Sequence, residues 1–445
     1  MKADLNLDPG LNSPTGGAEI SPHVRTEAYR KATWRLIPFL VFLFVLAWID
    51  RVNVGFAKLQ MLQDLQFSEA VYGFGAGIFF IGYFLFELPS NLLLEKIGAR
   101  KTLARITILW GLASMAMIFV KTPMQFYVLR FVLGVFEAGF FPGVVLYLTY
   151  WFPSARRAKI NGLFMTSFAI AGVVGGPIAG LIMDVMSNVE GLANWQWLFL
   201  VEGIPSVLAG IAVLLYLPEK PAVARWLAPL EREAIETELR ADNATPGRHA
   251  TLREAIGNPR LWICTATYFC IVSGNATIAF WTPSIIRELG VKSNLWIGML
   301  AAIPFIAGTI AMIANGAHSD KTGERRMHCA YAAVIAAIGI SLTGALLAQP
   351  TLALIALTVG AMGILSAFPV FWSLPAAFLS GTAAAGGIAI INSVGNLAGF
   401  AAPYAIGWLK TTTGLLSSGL YFVGVLEFGA AVLIVLFIRD KRLGA

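Results

Sequence analysis

Charged side chains are scarce in this sequence. Only 13% of its 445 residues are Asp, Glu, Lys or Arg, whereas soluble domains carry about a quarter. Hydrophobic residues make up 57% of the chain, and the mean hydropathy is +0.73. This composition excludes an ordinary soluble globular domain and predicts a membrane protein.

Cysteine and histidine are also rare. Cys264, Cys270 and Cys329 stand in or beside apolar runs without zinc-ligand spacing, so we expect neither a disulfide framework nor a metal site. The four histidines form no metal-binding motif, and no soluble domain accompanies the apolar runs. We therefore expect no enzymatic activity, no metal and no cofactor.

Long apolar runs are what the chain does contain. Each is long enough to cross a hydrocarbon core of roughly 30 Å, and we expect no cleavable signal before the first of them. Twelve transmembrane helices, spans 1 to 12, are predicted over residues 34–56, 71–94, 102–120, 125–150, 160–184, 195–217, 259–285, 294–316, 327–347, 351–372, 385–409 and 418–438.

One long polar segment divides these spans into six and six. The predicted fold class is therefore an all-α membrane protein with two pseudo-symmetric six-helix bundles, at 31–217 and 259–438. Residues 1–30 are predicted to be a disordered cytosolic N-terminus, 218–258 a cytosolic linker and 439–445 a cytosolic tail.

The linker contains the stretch RWLAPLEREAIETELRAD. Its apolar residues recur at approximately helical spacing beside Glu and Arg pairs, which predicts an amphipathic surface helix that bridges the halves. The predicted apolar stripe is Leu227, Leu230, Ala234 and Leu239.

The two halves share a loop motif at an offset of 225 residues. NLLLEKIGARK follows span 2 and GAHSDKTGERR follows span 8, and each has an acid, a base, a spacer, a glycine and further bases. The matching positions, predicted to turn and gate these loops, are Glu95, Lys96, Gly98 and Arg100, and Asp320, Lys321, Gly323 and Arg325. Such a repeat indicates duplication of a six-helix unit.

Basic residues predict the orientation. With both termini in the cytosol, only Lys58, Lys121, Arg287, Lys292 and Lys410 fall in external loops. Nearly all the others fall on the cytosolic side, in agreement with the positive-inside rule. The net charge of +7 is thus a topology signal, and we expect no nucleic-acid partner.

Charges inside the spans each cost about 2.5–3.5 kcal/mol on insertion scales. Four of them in the N-terminal half form the candidate site, whereas a structural role is favoured for Glu87 in span 2, Glu202 in span 6 and Glu427 in span 12. Asp50 and Arg51 lie about 21 Å into span 1, a depth similar to that of Arg130 in span 4. Glu137 lies two turns beyond Arg130 on the same face. A purely structural ion pair remains an alternative for these charges.

The four charges sum to zero. An arriving carboxylate makes the group negative, and a proton on Asp50 or Glu137 restores neutrality. Substrate and proton then favour each other's binding, as proton-coupled transport requires. Arg130 and Arg51 are the candidate ligands of the carboxylate, and Asp50, Glu137 and Arg51 the candidate proton-coupling residues.

The C-terminal half must contribute neutral groups, because its spans carry almost no charge. Amide and aromatic side chains suit a carboxylate, a hydroxyl or a ring. The candidates are Tyr83 in span 2, Asn275 and Trp281 in span 7, Trp372 and Ser373 at the end of span 10, and Asn392 and Asn396 one turn apart in span 11. Helix packing remains an alternative for the Asn residues and Trp281.

These motifs resemble the major facilitator superfamily. The paired loops are similar to its cytosolic signature, and RFVLGVFEAG is similar to its pattern of Arg130, Gly134 and Ala138. The stretches IDR, FELPSNLLLEKIGARK and RWLAPLER resemble the anion:cation symporter family, whose members carry hexonates, tartrate, phthalate and 4-hydroxyphenylacetate.

The resemblance implies a central cavity lined by spans 1 and 4. It implies that the acids of these two spans take the proton and that their basic partners capture the carboxylate. It also implies that Tyr83, Trp372 and the span 11 asparagines contact the substrate.

Span 5 indicates the substrate class. Its centre, Phe168 to Ala171, is apolar, whereas sugar-acid members look more polar there. This departure favours an aromatic or less hydroxylated acid. The Gly-Gly-Pro element of span 5 resembles a pattern of antiporters in the superfamily, so exchange stays open.

Proton-coupled import of a small organic carboxylate by alternating access is the leading hypothesis, with an antiporter or exporter of the same fold as the alternative. A membrane enzyme, a receptor and a channel fit the motifs less well. The expected setting is a bacterial inner membrane, with lipid, proton and carboxylate as partners and with the monomer as the functional unit.

Overall fold

The computed structural model describes residues 21–186, 189–243, 256–376 and 381–438, without the side chains of Glu95, Ala158, Asn243 and residues 381–385. Its helices, in chain order, are Pro22–Val52, Val54–Leu65, Glu69–Ile97, Ala99–Ala116, Pro123–Glu137, Phe140–Thr149, Ser154–Val185, Asn194–Tyr216, Pro229–Asn243, Pro259–Glu288, Asn294–Thr322, Arg326–Ala345, Pro350–Phe371, Ser373–Ala376, Gly381–Asn396, Ala398–Thr413 and Leu416–Phe437. These helices contain twelve spans long and apolar enough to cross a membrane. The predicted fold class and span count are confirmed.

Span 4 is interrupted at Ala138 and Gly139, where the backbone leaves the helical conformation. At Asn53 of span 1, Trp372 at the end of span 10 and Leu397 of span 11 the helix is only locally irregular, because the backbone keeps right-handed helical dihedral angles. Gly139 has φ +84°, a conformation that disfavours any side chain. Each of these positions lies within a few residues of a predicted site residue.

Polar residues and glycines set the helix ends. Ser68 and Ser293 accept hydrogen bonds from the first turns of spans 2 and 8, and Thr122 forms a capping box with Gln125 at span 4. Span 2 ends at Gly98 with φ +92°, and span 8 ends at Gly323 with φ +72°. The repeated loop motif therefore turns on its glycine in both halves, as predicted.

The N-terminal segment differs from its prediction. Residues 1–20 lie outside the described part of the chain. The prediction of disorder is wrong for residues 22–30, because they form the first turns of span 1. These turns are held by the linker, because Tyr29 donates to Glu238 over 2.8 Å and Lys31 pairs with Glu231 over 2.6 Å. Local composition does not reveal this support from a distant segment.

The linker helix Pro229–Asn243 forms as predicted. Its anchoring ion pairs reach four residues of the N-terminal half, Arg25, Lys31, Arg156 and Arg157. The helix therefore docks on that half. The prediction that it bridges the two halves is wrong for these contacts. Ala234 and Ile235 are buried, but Leu230 is 59% exposed and does not belong to the buried stripe.

Electrostatics at this docking site favours the charged form of Glu231. Burial opposes ionisation of the carboxyl, but hydrogen bonds from Lys31 and from the Ala228 N–H outweigh it. The pKa of Glu231 therefore lies below its ordinary value. The remaining linker residues 244–255 and the predicted tail 439–445 lie outside the described residues.

The molecule has two faces at the ends of its spans. We call the face where span 1 begins and span 12 ends the terminal face, and the other the opposite face. The two halves contact each other near the opposite face. Near the opposite face, a Cβ added at Gly77 would stand 2.6 Å from the Phe400 carbonyl oxygen, and one at Gly176 would stand 2.8 Å from that of Gly298. Backbones of spans 2 and 11, and of spans 5 and 8, therefore touch directly.

The same helices separate towards the terminal face. A Cβ added at Gly162 in span 5 or at Gly316 in span 8 would meet nothing within 4 Å. The interface between the halves is thus closed at the opposite face and open at the terminal face.

We predict that Gly180→Leu prevents this closure, because a side chain there would collide with the Asn294 backbone of the other half. Spin labels at Gln63 and Thr412, one in each half at the opposite face, should report a longer distance in the variant. Gly162→Leu places the same side chain in the open part of span 5 and should leave that distance unchanged. Equal distances in both variants would contradict closure through span 5.

Candidate functional site

Asp50 lies in a closed polar pocket between spans 1, 3 and 6. Its side chain is fully buried, and it accepts hydrogen bonds from Ser114 over 2.7 Å, from Trp110 Nε1 over 3.2 Å and from Ser206. All three donors are neutral. Asp50 is thus hydrogen-bonded at both oxygens, although no cation contacts it directly among the described residues.

Arg51 points to a different partner, Glu137 in span 4. Arg51 Nε donates to Glu137 Oε1 over 3.0 Å, and Nη2 donates to the same oxygen. The second oxygen, Oε2, is buried with no hydrogen-bond partner in the described part of the chain. The prediction that the neighbouring Asp50 and Arg51 need separate partners is confirmed, because adjacent helix residues point about 100° apart.

Exposure distinguishes the members of this ion pair. The Arg51 side chain is 18% exposed, whereas that of Glu137 is fully buried. Glu137 is also the last residue of its helix, where the helix dipole disfavours a negative charge. Glu137 therefore depends on Arg51 for its stabilisation, while Arg51 keeps an accessible edge.

Arg130 is at the depth predicted for it, but it is enclosed. Its guanidinium donates to the backbone carbonyls of Arg51, Gly75 and Ala76 over 3.2–3.4 Å. The side chain is fully buried, and Nη1 has no partner among the described groups. In this conformation Arg130 ties span 4 to spans 1 and 2, and Arg51 offers the more accessible guanidinium. The substrate role of Arg130 stays a prediction.

Aromatic rings surround the accessible edge of Arg51. Its Cζ lies 5.2 Å from the Phe79 ring centre, 5.5 Å from that of Tyr83 and 5.8 Å from that of Trp48, within the range of cation–π attraction. The ring centre of Phe168 in span 5 lies 5.6 Å from that of Trp48. The predicted apolar centre of span 5 thus belongs to the surroundings of Arg51.

Four of the predicted residues of the C-terminal half, Trp372, Ser373, Asn392 and Asn396, lie in spans 10 and 11 near the ends of the helices Pro350–Phe371 and Gly381–Asn396. Trp372 packs against Tyr268 with ring centres 4.8 Å apart, and Asn396 donates to Asn392 over 3.2 Å. Ser373 donates to the Val370 carbonyl within its own span. The hydroxyl of Ser373 is therefore already used locally, whereas Trp372 and the asparagines remain half-buried.

Two residues of span 7 have different surroundings. Asn275 is half-buried, and Trp281 is fully buried against Lys58, whose Nζ lies 3.6 Å from the indole centre. These surroundings indicate that Trp281 has a packing role, which was the alternative to substrate binding in the sequence analysis. Lys58 is a helix residue buried to 96% and not a free loop lysine.

An ion network around Lys58 joins the halves at the opposite face. Glu69 at the start of span 2 pairs with Lys58 over 2.6 Å and with Lys410 of span 11 over 2.8 Å. Lys410 also pairs with Glu288 at the end of span 7. The sequence analysis missed this network, because its members come from four different helices and Lys58 was placed in an external loop.

The repeated loops hold further partners that the sequence analysis did not identify. Glu219 accepts from the backbone N–H groups of Ala99 and Arg100 next to Gly98. In the second loop, Arg325 pairs with Asp320 over 2.6 Å. No ion pair of Lys96 or Lys321 is seen among the described groups, and the side chain of Glu95 lies outside them; their gating roles stay predictions.

Comparison with known proteins identifies the family. The sequence matches the Major Facilitator Superfamily over residues 40–403. A "Putative tartrate transporter" of Agrobacterium vitis is 47% identical over 93% of this chain and 95% of that protein. A "Quinolone resistance transporter" of Acinetobacter baumannii is 42% identical over 94% of this chain and 96% of that protein.

A solved structure shares the fold. The crystal structure of a D-xylose-proton symporter superposes with a TM-score of 0.71 at 16% identity, covering 95% of this chain and 99% of that one. At this identity the likeness shows the arrangement of helices alone.

We predict a coupling free energy on the order of 1–3 kcal/mol between Arg51 and Glu137. Glu137→Leu leaves a buried arginine edge unpaired and Arg51→Leu leaves a buried carboxylate unpaired, so the double variant should lose less stability than the sum of the two. Thermal unfolding in detergent measures each variant.

The exposed pair Arg30 and Glu27, with N–O 2.7 Å, is the matched control. Water screens this pair, so its coupling should stay below about 0.5 kcal/mol. Equal couplings in the two cycles would mean that burial does not strengthen the Arg51–Glu137 pair.

Proposed function

Since the chain belongs to the Major Facilitator Superfamily and is a multi-pass membrane transporter, we propose that it imports a small organic carboxylate together with protons. The observation that carries this proposal is the Arg51–Glu137 pair. It combines an accessible guanidinium, a buried carboxylate with one unused oxygen, and a surrounding of aromatic rings.

Exchange of partners at Arg51 supplies the coupling. A substrate carboxylate that binds Arg51 competes with Glu137 for the same guanidinium. A proton on Glu137 weakens its attraction for Arg51 and frees the guanidinium for the substrate. Each ligand therefore improves binding of the other, and the benefit is reciprocal by linkage. Asp50 is the second acid proposed to carry a proton.

Orientation follows from the charge distribution. We place the terminal face in the cytosol of a bacterial cell, with the protein in the inner membrane and functional as a monomer. The present arrangement of the halves is then open to the cytosol. Alternating access would break the Lys58–Glu69–Lys410–Glu288 network on opening to the outside.

The membrane potential makes proton coupling useful. Inward movement of one negative charge is opposed by about 2.3 kcal/mol per 100 mV. One accompanying proton removes this opposition. A second proton, for which Asp50 and Glu137 together offer the sites, makes the potential assist uptake.

The surroundings of Arg51 favour a flat or weakly hydroxylated acid. Trp48, Tyr83 and Phe168 present ring faces and edges near the guanidinium. The tartrate named for the Agrobacterium vitis relative makes hydroxy-dicarboxylates the other class to test. Asn275, Asn392 and Asn396 are the amides proposed to bind substrate hydroxyl or carboxylate oxygens.

Export or exchange is the second candidate function. It is favoured by the name of the Acinetobacter baumannii relative, a quinolone resistance transporter, and by the Gly-Gly-Pro element at Gly175, Gly176 and Pro177. An antiporter predicts that substrate and proton compete, which is the opposite of the linkage at Arg51.

The test is uptake into proteoliposomes of a panel of acids, including tartrate, benzoate, nicotinate and galactonate. We expect an imposed inward proton gradient to drive accumulation of at least one panel acid. Accumulation only with an outward proton gradient would establish exchange and overturn symport.

Variants of the site separate binding from coupling. Arg51→Gln should weaken binding of the transported acid by at least tenfold, or about 1.4 kcal/mol, because the carboxylate loses its cation. Asp50→Asn and Glu137→Gln should retain binding and lose gradient-driven accumulation. Arg30→Gln, which removes an exposed arginine, is the control and should match the wild type in both assays.

A further inference from the structure

A second buried carboxyl stands next to the Asp50 pocket without a partner. Glu202 in span 6 is 5% exposed, and neither of its oxygens has a hydrogen bond in the described structure. The amide of Asn53 lies beside it, but the two do not meet hydrogen-bond geometry. Asn53 is 1% exposed, and both of its side-chain polar atoms are also unpartnered.

Unpartnered buried polar atoms are costly. Native structures leave few of them, and those that occur often mark an internal water or a functional group. Here four polar atoms, two on Glu202 and two on Asn53, cluster between spans 1 and 6.

Helix geometry connects this cluster to Asp50. Ser206 is one turn from Glu202 on span 6 and therefore on the same face, and its hydroxyl donates to Asp50. Asn53 lies three residues beyond Asp50 in span 1. Glu202 and Asn53 are thus one turn nearer the opposite face than Asp50 and Ser206, at about 5 Å per turn.

Ser206 is chemically suited to pass a proton between the two acids. Its hydroxyl donates one hydrogen bond to Asp50 and has lone pairs with which it can accept another. Asp50 is close enough to Glu202 for their negative charges to repel each other, and Glu137 is close enough to repel Asp50. The acids therefore form a series from the opposite face inward.

Glu202 also changes the charge balance of the site. The net-neutral group predicted from Asp50, Arg51, Arg130 and Glu137 is incomplete, because Glu202 adds a fifth charge beside Asp50. If all five groups were ionised, the buried region would carry one excess negative charge. One proton shared among the acids removes that excess.

We propose that Glu202, assisted by Asn53, is the outer station of a proton route that loads Asp50 from the opposite face. This proposal rests on proton coupling in the proposed function. A hydronium ion protonates the Glu202 carboxylate, Glu202 passes that proton through the Ser206 hydroxyl or a water molecule to the Asp50 carboxylate, and Glu202 becomes ionised again. The proton thereby enters through the wall of the N-terminal bundle, while the carboxylate reaches Arg51 from the space between the halves.

The experiment compares Glu202→Gln with Glu427→Gln in proteoliposomes, using the panel acid with the highest wild-type uptake. Glu427 in span 12 is the matched control, since it is fully buried and both of its oxygens are unpartnered, but it belongs to the other half. Glu202→Gln should lower the maximal rate of proton-driven uptake at least tenfold and leave KM within twofold. Glu427→Gln should retain the wild-type rate.

A second readout separates relay from structure. Exchange of labelled for unlabelled acid needs no net proton movement, so Glu202→Gln should retain it, and Glu202→Asp should recover part of the driven uptake. Loss of exchange together with uptake would assign Glu202 a structural role and overturn the relay. Wild-type driven uptake in Glu202→Gln would overturn it as well.

The remaining outcomes concern the coupling ion. If a sodium gradient drives wild-type uptake and Glu202→Gln abolishes the sodium dependence, the oxygens of Asp50, Asn53 and Glu202 bind sodium and the proton relay is wrong. If no gradient drives uptake of any panel acid by the wild type, the proposed function itself fails, and the relay fails with it.

Discussion

The cost of holding charge inside a membrane organises this protein. Arg51 and Glu137 are tolerated in the hydrocarbon region because each stabilises the other, and Asp50 because three neutral donors reach it from two other spans. These contacts tie spans 1, 3, 4 and 6 into one unit. The site is therefore also a structural centre of the N-terminal half, and any ligand of Arg51 must compete with an interaction that the fold uses.

An interrupted helix lies at the centre of that competition. Span 4 breaks at Ala138 and Gly139, directly after Glu137, so its regular backbone ladder ends where the Glu137 carboxylate pairs with Arg51. The two halves contribute differently. The N-terminal half supplies the charges and the aromatic rings around Arg51, and the C-terminal half holds the predicted site residues Trp372, Asn392 and Asn396. In the proposed alternating access, movement of one half relative to the other would change which neutral groups face the charged residues of the N-terminal half.

The partners of the charges were predictable only in part. That Asp50 and Arg51 diverge follows from 100° per residue, and the common depth of Arg51 and Arg130 follows from 1.5 Å per residue. The local spacing does not predict that Ser114 and Ser206 bind Asp50, nor does it predict the Lys58–Glu69–Lys410 network. The members of these contacts are brought together from different spans. Residues that are ordinary in their own helix became site residues through packing.

The sequence by itself determined the membrane class, the twelve spans, the repeated loop motif of the two halves and the burial of Asp50, Arg130 and Glu137, because hydrophobic length and loop motifs are local properties of the chain. Only the tertiary structure decided which acid pairs with which base, that Arg130 is enclosed while Arg51 is accessible, and that Glu202 and Asn53 lie unpartnered beside Asp50. The physical reason is that burial and hydrogen bonding in a helical bundle depend on how helices rotate and tilt against one another, and helical periodicity within one span leaves that rotation open.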